Sequence, residues 1–199
     1  RYPDSNYVYV FYTYDVGNGV YDRLSRFEVD QATHTVPPAS ELVLINQLDQ
    51  SRNHNSGSVF FDRDGFLYLT LGDEGGSSNQ WDNAQRIDHR LFSGLIRIDV
   101  DRDSSRSHPI RRQPVQISPS DQSFTDHYFI PNDNPFLDST GAVLEEFWSI
   151  GLRNPYMATY DSVSGQIWSG DVGQNDREEV NLLIKGGNYQ WSYREGTMG

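Results

Sequence analysis

Cysteine is absent from the 199-residue sequence. A chain without cysteine can have no disulfide scaffold, no thiol nucleophile and no cysteine metal site. The absence does not fix the cellular compartment, because a chain of this length can bury a sizeable core without covalent cross-links.

Positive charge and long apolar runs are also scarce. Sixteen lysines and arginines face 28 aspartates and glutamates, which gives a net charge of -12. Such an acidic surface argues against nucleic acid and against anionic membranes as partners. No apolar run approaches the roughly 20 residues of a membrane-spanning helix. The chain begins with Arg1-Tyr2-Pro3 and shows no initiating methionine or signal peptide, so we expect a segment of a longer protein.

Aromatic residues, glycine and proline are abundant, and they favour strands and turns respectively. The sequence therefore predicts an all-β protein, with a hairpin turn at residues 63–65. A helix is hinted at only over residues 84–94, and the polar stretch 102–126 reads as a loop insertion. The predicted strands are 7–15, 22–30, 41–48, 57–62, 66–73, 94–101, 145–152, 156–161, 165–171 and 179–191.

Internal repetition indicates the architecture. "LSRFEVD" (24–30) resembles "LIRIDVD" (95–101), and "DGFLYLTLGD" (64–73) resembles "SGQIWSGD" (164–171). The recurring unit is a polar segment, a strand, a turn, a second strand and a Gly-Asp loop. Such units are typical of β-propeller blades of about 40–50 residues, although a β-sandwich with coincidental similarity is the alternative. Because a propeller closes with about 4–8 blades, this chain would hold three or four of them.

Two polar segments carry candidate catalytic residues. His54 can accept a proton near neutral pH, and Arg153 has a planar cationic fork suited to carboxylates and polarised oxygens. If the blades stack around an axis, both segments lie at the same end of equivalent inner strands and face one central well. The simpler interpretations are a histidine without a role and an arginine paired with an acid. A histidine without a role is the interpretation for His34, His89, His108 and His127.

The stretch "GDVGQNDREEV" (170–180) combines glycines with acids, as calcium-binding turns do. Its spacing is not that of an EF-hand. Spacing alone leaves a calcium site and a solvated turn equally open.

Several motifs occur together in one order: "NHNSGSVFF", "LIRIDVD", "YFIPNDNPF", "GLRNP" and "GDVGQNDREEVNLLIKGGNYQW". From about Tyr7 to Gly199, outside 102–126, the chain resembles the soluble glucose/sorbosone dehydrogenases. Those proteins depend on pyrroloquinoline quinone (PQQ) and include the aldose sugar dehydrogenases. The resemblance implies a six-bladed β-propeller fold, with residues 1–199 part of a single propeller domain. It also implies a periplasmic or secreted enzyme that oxidises an aldose and passes electrons to an acceptor such as a cytochrome or a dye.

The resemblance also implies residue roles. His54 would take the proton from the anomeric hydroxyl while a hydride passes to the quinone. Arg153 and Asn154 would contact the quinone, with Arg153 polarising its carbonyl.

Calcium ions are implied at two places. One would be held by the quinone and by the main-chain carbonyls of Gly173 and Gln174. A structural calcium ion would be held by Glu179 and the main-chain oxygen of Tyr189. The alternatives are a propeller that only binds a partner, as some animal relatives of the family do, and a segment that is inactive without further blades.

Overall fold

The computed structural model describes residues 5–15, 17, 20–116 and 125–197, and these are almost entirely strands and loops. A single turn of 3-10 helix occupies Pro38–Ser40. The strands are β1 (Tyr7–Asp15), β2 (Val20–Glu28), β3 (Leu42–Asp49), β4 (Val59–Phe61), β5 (Leu67–Leu71), β6 (Gly94–Ile98), β7 (Ser107–Pro109), β8 (Phe129–Pro131), β9 (Phe147–Ile150), β10 (Met157–Tyr160), β11 (Ile167–Asp171) and β12 (Glu179–Leu183).

The described strands form three antiparallel sheets of three or four strands and one antiparallel pair. The sheet orders are β1-β2-β3, β4-β5-β6-β9 and β10-β11-β12, and β7 pairs with β8. The repeats fall on equivalent strands, because β5 and β11 are each the second strand of their sheet. Since β2 matches β6, the third strand of the middle sheet, the first sheet corresponds to positions two to four of a blade.

The middle sheet is buried on both of its faces, as the all-buried patterns of β5 and β6 show. Leu67, Leu69 and Leu71 point to one side and pack in a cluster with Leu24 and Leu44 of the first sheet. Phe66 and Tyr68 point to the other side and pack with residues of the third sheet. Alternate side chains of one strand thus join successive sheets, which is how neighbouring propeller blades pack.

The helix hinted at over residues 84–94 is wrong, since this segment consists of turns. Several of its backbone groups bond to side chains or to distant parts of the chain instead of forming a helical ladder. The Asn79 side chain accepts the backbone N–H groups of residues 83 and 84 at 3.0 Å. The Gln47 side chain donates to the carbonyl of Leu91 at 2.6 Å and accepts its N–H at 3.1 Å.

Other expectations about the elements hold in outline. The turn at residues 63–65 is present, with the Gly65 N–H donating to the carbonyl of Asp62 at 3.2 Å. The last predicted strand, 179–191, ends as β12 at residue 183. The proposed insertion, 102–126, contains the short strand β7, and its residues 117–124 lie outside the described residues.

The loops that carry the candidate residues lie at one end of the sheets. His54 precedes β4 and Arg153 precedes β10, whereas Asp73 follows β5 and Asp171 ends β11. Antiparallel neighbours bring the start of one strand beside the end of the next, so these four positions share one end, here called the upper end. The part of the chain that the structure describes contains no helix with the length and hydropathy of a membrane span.

Candidate active site

The two polar segments predicted to meet do lie in contact. The Ser56 hydroxyl donates to Asn154 Oδ1 at 3.0 Å across 98 positions of sequence. The backbone N–H of Asp73 donates to the carbonyl of Arg153 at 2.9 Å. His54 and Arg153 therefore belong to one site at the upper end, joined through Asp73.

His54 is held by a buried carboxylate. Its Nδ1 lies 2.7 Å from Asp73 Oδ1, and the two side chains are 10% and 1% exposed. An ionised carboxylate only accepts hydrogen bonds, so Nδ1 carries the proton in the neutral imidazole. The Nε2 atom is then the lone-pair nitrogen, which is the state that a general base requires.

The backbone around His54 is unusual and tightly enclosed. His54 and Ser56 have positive φ values of 61° and 54°, a region that residues other than glycine rarely adopt. A Cβ atom added at Gly72 would lie 1.7 Å from the His54 carbonyl oxygen. Glycine at position 72 thus lets the end of β5 pass directly against the histidine.

Two more buried carboxyls anchor this loop to the first sheet. The Asn55 amide donates to Asp22 Oδ1 at 3.0 Å and to Asp49 Oδ2 at 3.1 Å. Burial raises the pKa of both carboxyls, and the nearby charge of Asp22 raises that of Asp49 further. The pair therefore holds a proton near neutral pH while it fixes the residue next to His54.

Asp171 holds the Arg153 segment by hydrogen bonds, as Asp73 holds His54. Its two carboxylate oxygens accept the backbone N–H groups of Arg153 at 2.9 Å and of Asn154 at 2.6 Å. Burial raises the pKa of Asp171 to about 7, against the effect of those two donors. The repeated Gly-Asp loop thus supports the polar segment of its own blade in both copies.

Arg153 is a buried cation, 8% exposed. Its Nη1 donates to the carbonyls of Val172 and Gly173 at 2.9 Å each, and its guanidinium lies 5.4 Å from the ring centroid of Trp191. Its Nε is buried without a hydrogen-bond partner among the described residues. The site therefore keeps one unsatisfied cationic donor.

Trp191 and Asp73 are functional candidates that sequence reasoning did not single out. The Trp191 indole donates to Asp73 Oδ2 at 2.8 Å. Asp73 sits in the repeated Gly-Asp loop, so its equivalence to Asp171 was a usable signal. Trp191 gave no such signal, because its partner is 118 positions away.

The positions predicted to hold calcium lie close to this site. Arg153, Gly173 and Glu179 line one cavity of about 10 Å³, and Glu179 and Tyr189 line another of about 430 Å³. The Gly173 carbonyl already accepts from Arg153, and the Gln174 side chain accepts the N–H of Ser78 at 2.8 Å.

A carboxylate fixes the Gly173–Gln174 turn from its other side. Oε1 of Glu195 accepts the backbone N–H groups of residues 174 to 177 at 2.5 to 3.3 Å. Although partial burial opposes it, these donors lower the pKa of Glu195. Within the described ranges, no three histidine, cysteine or carboxylate side chains gather closely enough to hold a metal ion. Main-chain carbonyls and the cofactor itself would have to supply most ligands of a calcium ion here.

The glucose/sorbosone dehydrogenase family model matches residues 1–118 and 124–197 of the chain. The chain belongs to the glucose/sorbosone dehydrogenase family. The match spans both polar segments and both Gly-Asp loops.

The proteins with similar sequences include one named as a sugar dehydrogenase and one named for binding another protein. HIPL1 protein of Arabidopsis thaliana is 37% identical over 145 residues, which are 72% of this chain and 19% of that protein. Aldose sugar dehydrogenase YliI of Escherichia coli is 32% identical over 139 residues, 70% of this chain and 29% of that protein. Hedgehog-interacting protein of Mus musculus is 27% identical over 167 residues, 79% of this chain and 21% of that protein.

Solved structures of glucose/sorbosone dehydrogenases share the β-propeller fold with this chain. The apo-form of the soluble aldose sugar dehydrogenase from Escherichia coli superposes with a TM-score of 0.69 at 26% identity, covering 96% of this chain and 47% of that one. The PQQ-bound aldose sugar dehydrogenase from Streptomyces coelicolor superposes with a TM-score of 0.57 at 20% identity, covering 98% of this chain and 46% of that one. At this identity the likeness supports only the shared fold. The chain spans about half the length of these structures and less than a third of the curated relatives above.

The residues at the upper end fit an anionic, carbonyl-bearing quinone in part. Arg153 offers a buried cation with a free Nε, and the Asn154 side chain, oriented by Ser56, offers an amide nitrogen. These two side chains and the Gly173–Gln174 turn are the groups in this chain that could hold such a cofactor. The roles of the individual site residues stay predictions.

Proposed function

We propose that the full-length parent of this chain is a quinoprotein sugar dehydrogenase that oxidises the anomeric hydroxyl of an aldose. The observation that carries the proposal is the His54–Asp73 pair, which leaves the lone pair on Nε2 and is joined through the Asp73 backbone to the segment of the buried Arg153. Pyrroloquinoline quinone, when bound, supplies the hydride acceptor. Calcium beside the Gly173–Gln174 turn and a structural calcium at Glu179 and Tyr189 belong to the same proposal.

Each charged or ionisable side chain of the site would stabilise a different charge that develops in the reaction. His54 Nε2 takes the hydroxyl proton as the sugar loses a hydride, so the aldose becomes a lactone without passing through a charged alkoxide. Asp73 stabilises the imidazolium that forms. The cation of Arg153 favours negative charge that grows on an oxygen beside it. Base and acceptor must meet at one carbon atom, and the joined polar segments support that requirement.

The proposal is tested by dye-linked oxidation of aldoses with the full-length parent, supplied with quinone and calcium. The His54→Ala variant should lose about 10²- to 10⁴-fold in kcat, the usual contribution of a general base. His34→Ala, which changes an exposed histidine in a turn, is the matched control and should keep its rate. A His54→Ala enzyme at the wild-type rate would exclude the base role.

A binding protein without catalysis is the second candidate, and the relative named Hedgehog-interacting protein favours it. Titration with pyrroloquinoline quinone, followed by its absorbance, separates the two. A dehydrogenase saturates with quinone, and Arg153→Ala weakens that binding. A pure binder of proteins shows no saturable change. We further propose a periplasmic or secreted location and a cytochrome-type or dye electron acceptor, as the family resemblance implies.

A further inference from the structure

The indole of Trp191 shares one carboxylate with the candidate base. Its N–H donates to Asp73 Oδ2 at 2.8 Å, while His54 Nδ1 lies at 2.7 Å from Oδ1. The backbone N–H of Gly75 also donates to Oδ1, at 3.0 Å. Asp73 therefore divides its negative charge among three donors in a place that water does not reach.

The division of charge has a consequence for proton affinity. A buried carboxylate stabilises an adjacent imidazolium more strongly when fewer other donors neutralise it, because the local dielectric constant is low. Each neutral donor to Asp73 thus makes His54 a weaker base. A base that stays unprotonated at the working pH is ready to accept the substrate proton.

We propose that Trp191 is a positioning residue that lowers the proton affinity of His54 through Asp73. The expected effect on the kcat/KM profile rests on the proposed function. The effect on the proton affinity of His54 does not, because that affinity can be measured without cofactor.

Two charged groups contact or face the pair directly: Arg153, whose carbonyl accepts the Asp73 N–H, and Asp171, whose ionisation the charge of Asp73 disfavours. The further titratable and charged groups nearby are the two carboxyls bonded to Asn55, Asp22 and Asp49, and the buried ion pair of Glu74 with Arg90. All of these groups remain when the indole is removed, so a difference between variants reports the indole.

The backbone at Trp191 is fixed independently of its side chain. Its N–H donates to the carbonyl of Gly151 at 2.9 Å, and its carbonyl accepts from the Gln85 amide at 2.5 Å. A Trp191→Phe change therefore removes the donor to Asp73 while the main chain keeps its two anchors. The phenyl ring refills part of the volume and keeps an aromatic face near Arg153.

The test uses the full-length parent, labelled with nitrogen-15 and free of cofactor. Imidazole signals are followed by NMR across pH, with His54→Asn to assign the signal of interest. In Trp191→Phe the titration midpoint of His54 should rise by about 0.5 to 1 pH unit, because the loss of one donor leaves more of the Asp73 charge to stabilise the imidazolium. The acid limb of the kcat/KM profile should move in the same direction.

Trp81→Phe is the matched control. It also removes an indole donor, but that donor bonds the Ser51 hydroxyl at 3.2 Å and does not touch Asp73. Its His54 midpoint should stay where it is in the wild type. If Trp191→Phe does not fold, Trp191→Met supplies the same loss of donor with a flexible side chain.

An unchanged or lower His54 midpoint in the Trp191 variant would overturn the inference and leave Trp191 as packing alone. A raised midpoint in a protein that oxidises no aldose would uphold the electrostatic link and overturn the proposed function instead. A raised midpoint together with a shifted acid limb would support both.

Discussion

Asp73 decides which nitrogen of His54 is free to act. Because the carboxylate accepts from Nδ1 at 2.7 Å, the imidazole cannot place its proton on Nε2 without losing that bond. The pair is enclosed, with Asp73 only 1% exposed. The proposed proton transfer thus depends on a residue that would not touch the substrate.

In the full-length parent, we expect Asp73→Asn to abolish most of the proposed dehydrogenase activity while the protein still folds. The amide can donate to Nδ1, which would move the imidazole proton to Nε2 and remove the base. The expected fall in kcat is about 10³-fold or more, by analogy with the wrong-tautomer effect in triads. Asp161→Asn, in the exposed β10–β11 turn, is the control and should keep the wild-type kcat. Equal rates for the two variants would contradict the tautomer argument.

At the scale of elements, the two Gly-Asp loops are equivalent in sequence but not in packing. A Cβ atom at Gly72 would meet the His54 carbonyl oxygen at 1.7 Å, whereas one at Gly170 would meet nothing within 4 Å. The same repeat unit therefore has one crowded copy and one open copy.

Gly72→Ala should destabilise the protein by about 1–3 kcal/mol, the usual effect of overpacking, and should lower kcat by displacing His54. Gly170→Ala should lie within about 0.5 kcal/mol of the wild type. Chemical denaturation and dye-linked turnover of the full-length parent measure both effects. Similar losses in the two variants would show that the His54 contact is not what makes position 72 special.

Glu146, directly before β9, should make stability fall as pH rises. It is completely buried, and burial raises its pKa from 4.5 to about 7, although the Tyr128 hydroxyl donates to it at 2.7 Å. The folded state therefore binds more protons than the unfolded state between those values. The stability this gives is complete below pH 4.5 and is lost as pH rises through 7.

The matching experiment compares thermal unfolding of Glu146→Gln and wild type at pH 5 and pH 8. The variant should unfold at a similar temperature at pH 5 and at a higher temperature than wild type at pH 8. Its neighbour Glu145 accepts from Arg111 at 2.7 Å, so Glu145→Gln should instead be less stable than wild type at pH 8. If Glu146→Gln unfolds at the same temperature as wild type at pH 8, the raised pKa of the buried Glu146 carboxyl would be ruled out.

The repeat predicted the elements well because it reflects local pattern. Alternation of side chains and turn residues predict the strands and the equivalence of β5 and β11. The contact between the His54 and Arg153 segments follows from the repeat, which places both at the same end of equivalent strands. Nothing in the local sequence contradicts the helix wrongly predicted at residues 84–94, because the side chain that bonds the backbone of Leu91 belongs to Gln47, 44 positions away. The Trp191–Asp73 bond is likewise a product of tertiary folding that no short window of sequence contains.

On the scale of the whole molecule, the third sheet leaves apolar side chains uncovered. Met157, Trp168 and Val180 are 64%, 41% and 79% exposed, and they lie on successive strands of that sheet. Among the described strands, β12 pairs only with β11, so its other edge keeps open backbone groups. Exposed edges and patches of this kind promote association.

The 199-residue chain, expressed alone, should therefore associate as its concentration rises. Val180→Lys adds charge at the open edge and should shift the chain towards monomer. Lys185→Ala, also exposed on the segment that follows β12, removes charge and should not favour monomer. Sedimentation velocity over a range of concentrations measures the difference. A monomeric wild-type chain at every concentration would refute the expectation.

The bond between Trp191 and Asp73 also sets an order of events during synthesis. The base, its carboxylate and the middle sheet leave the ribosome long before the indole, which follows Asp73 by 118 positions. Folding from the N-terminal side can thus complete the scaffold while the imidazole still lacks its final electrostatic environment. Nascent chains halted before residue 191 would therefore contain His54 and Asp73 without the indole donor that completes the hydrogen bonds of that carboxylate.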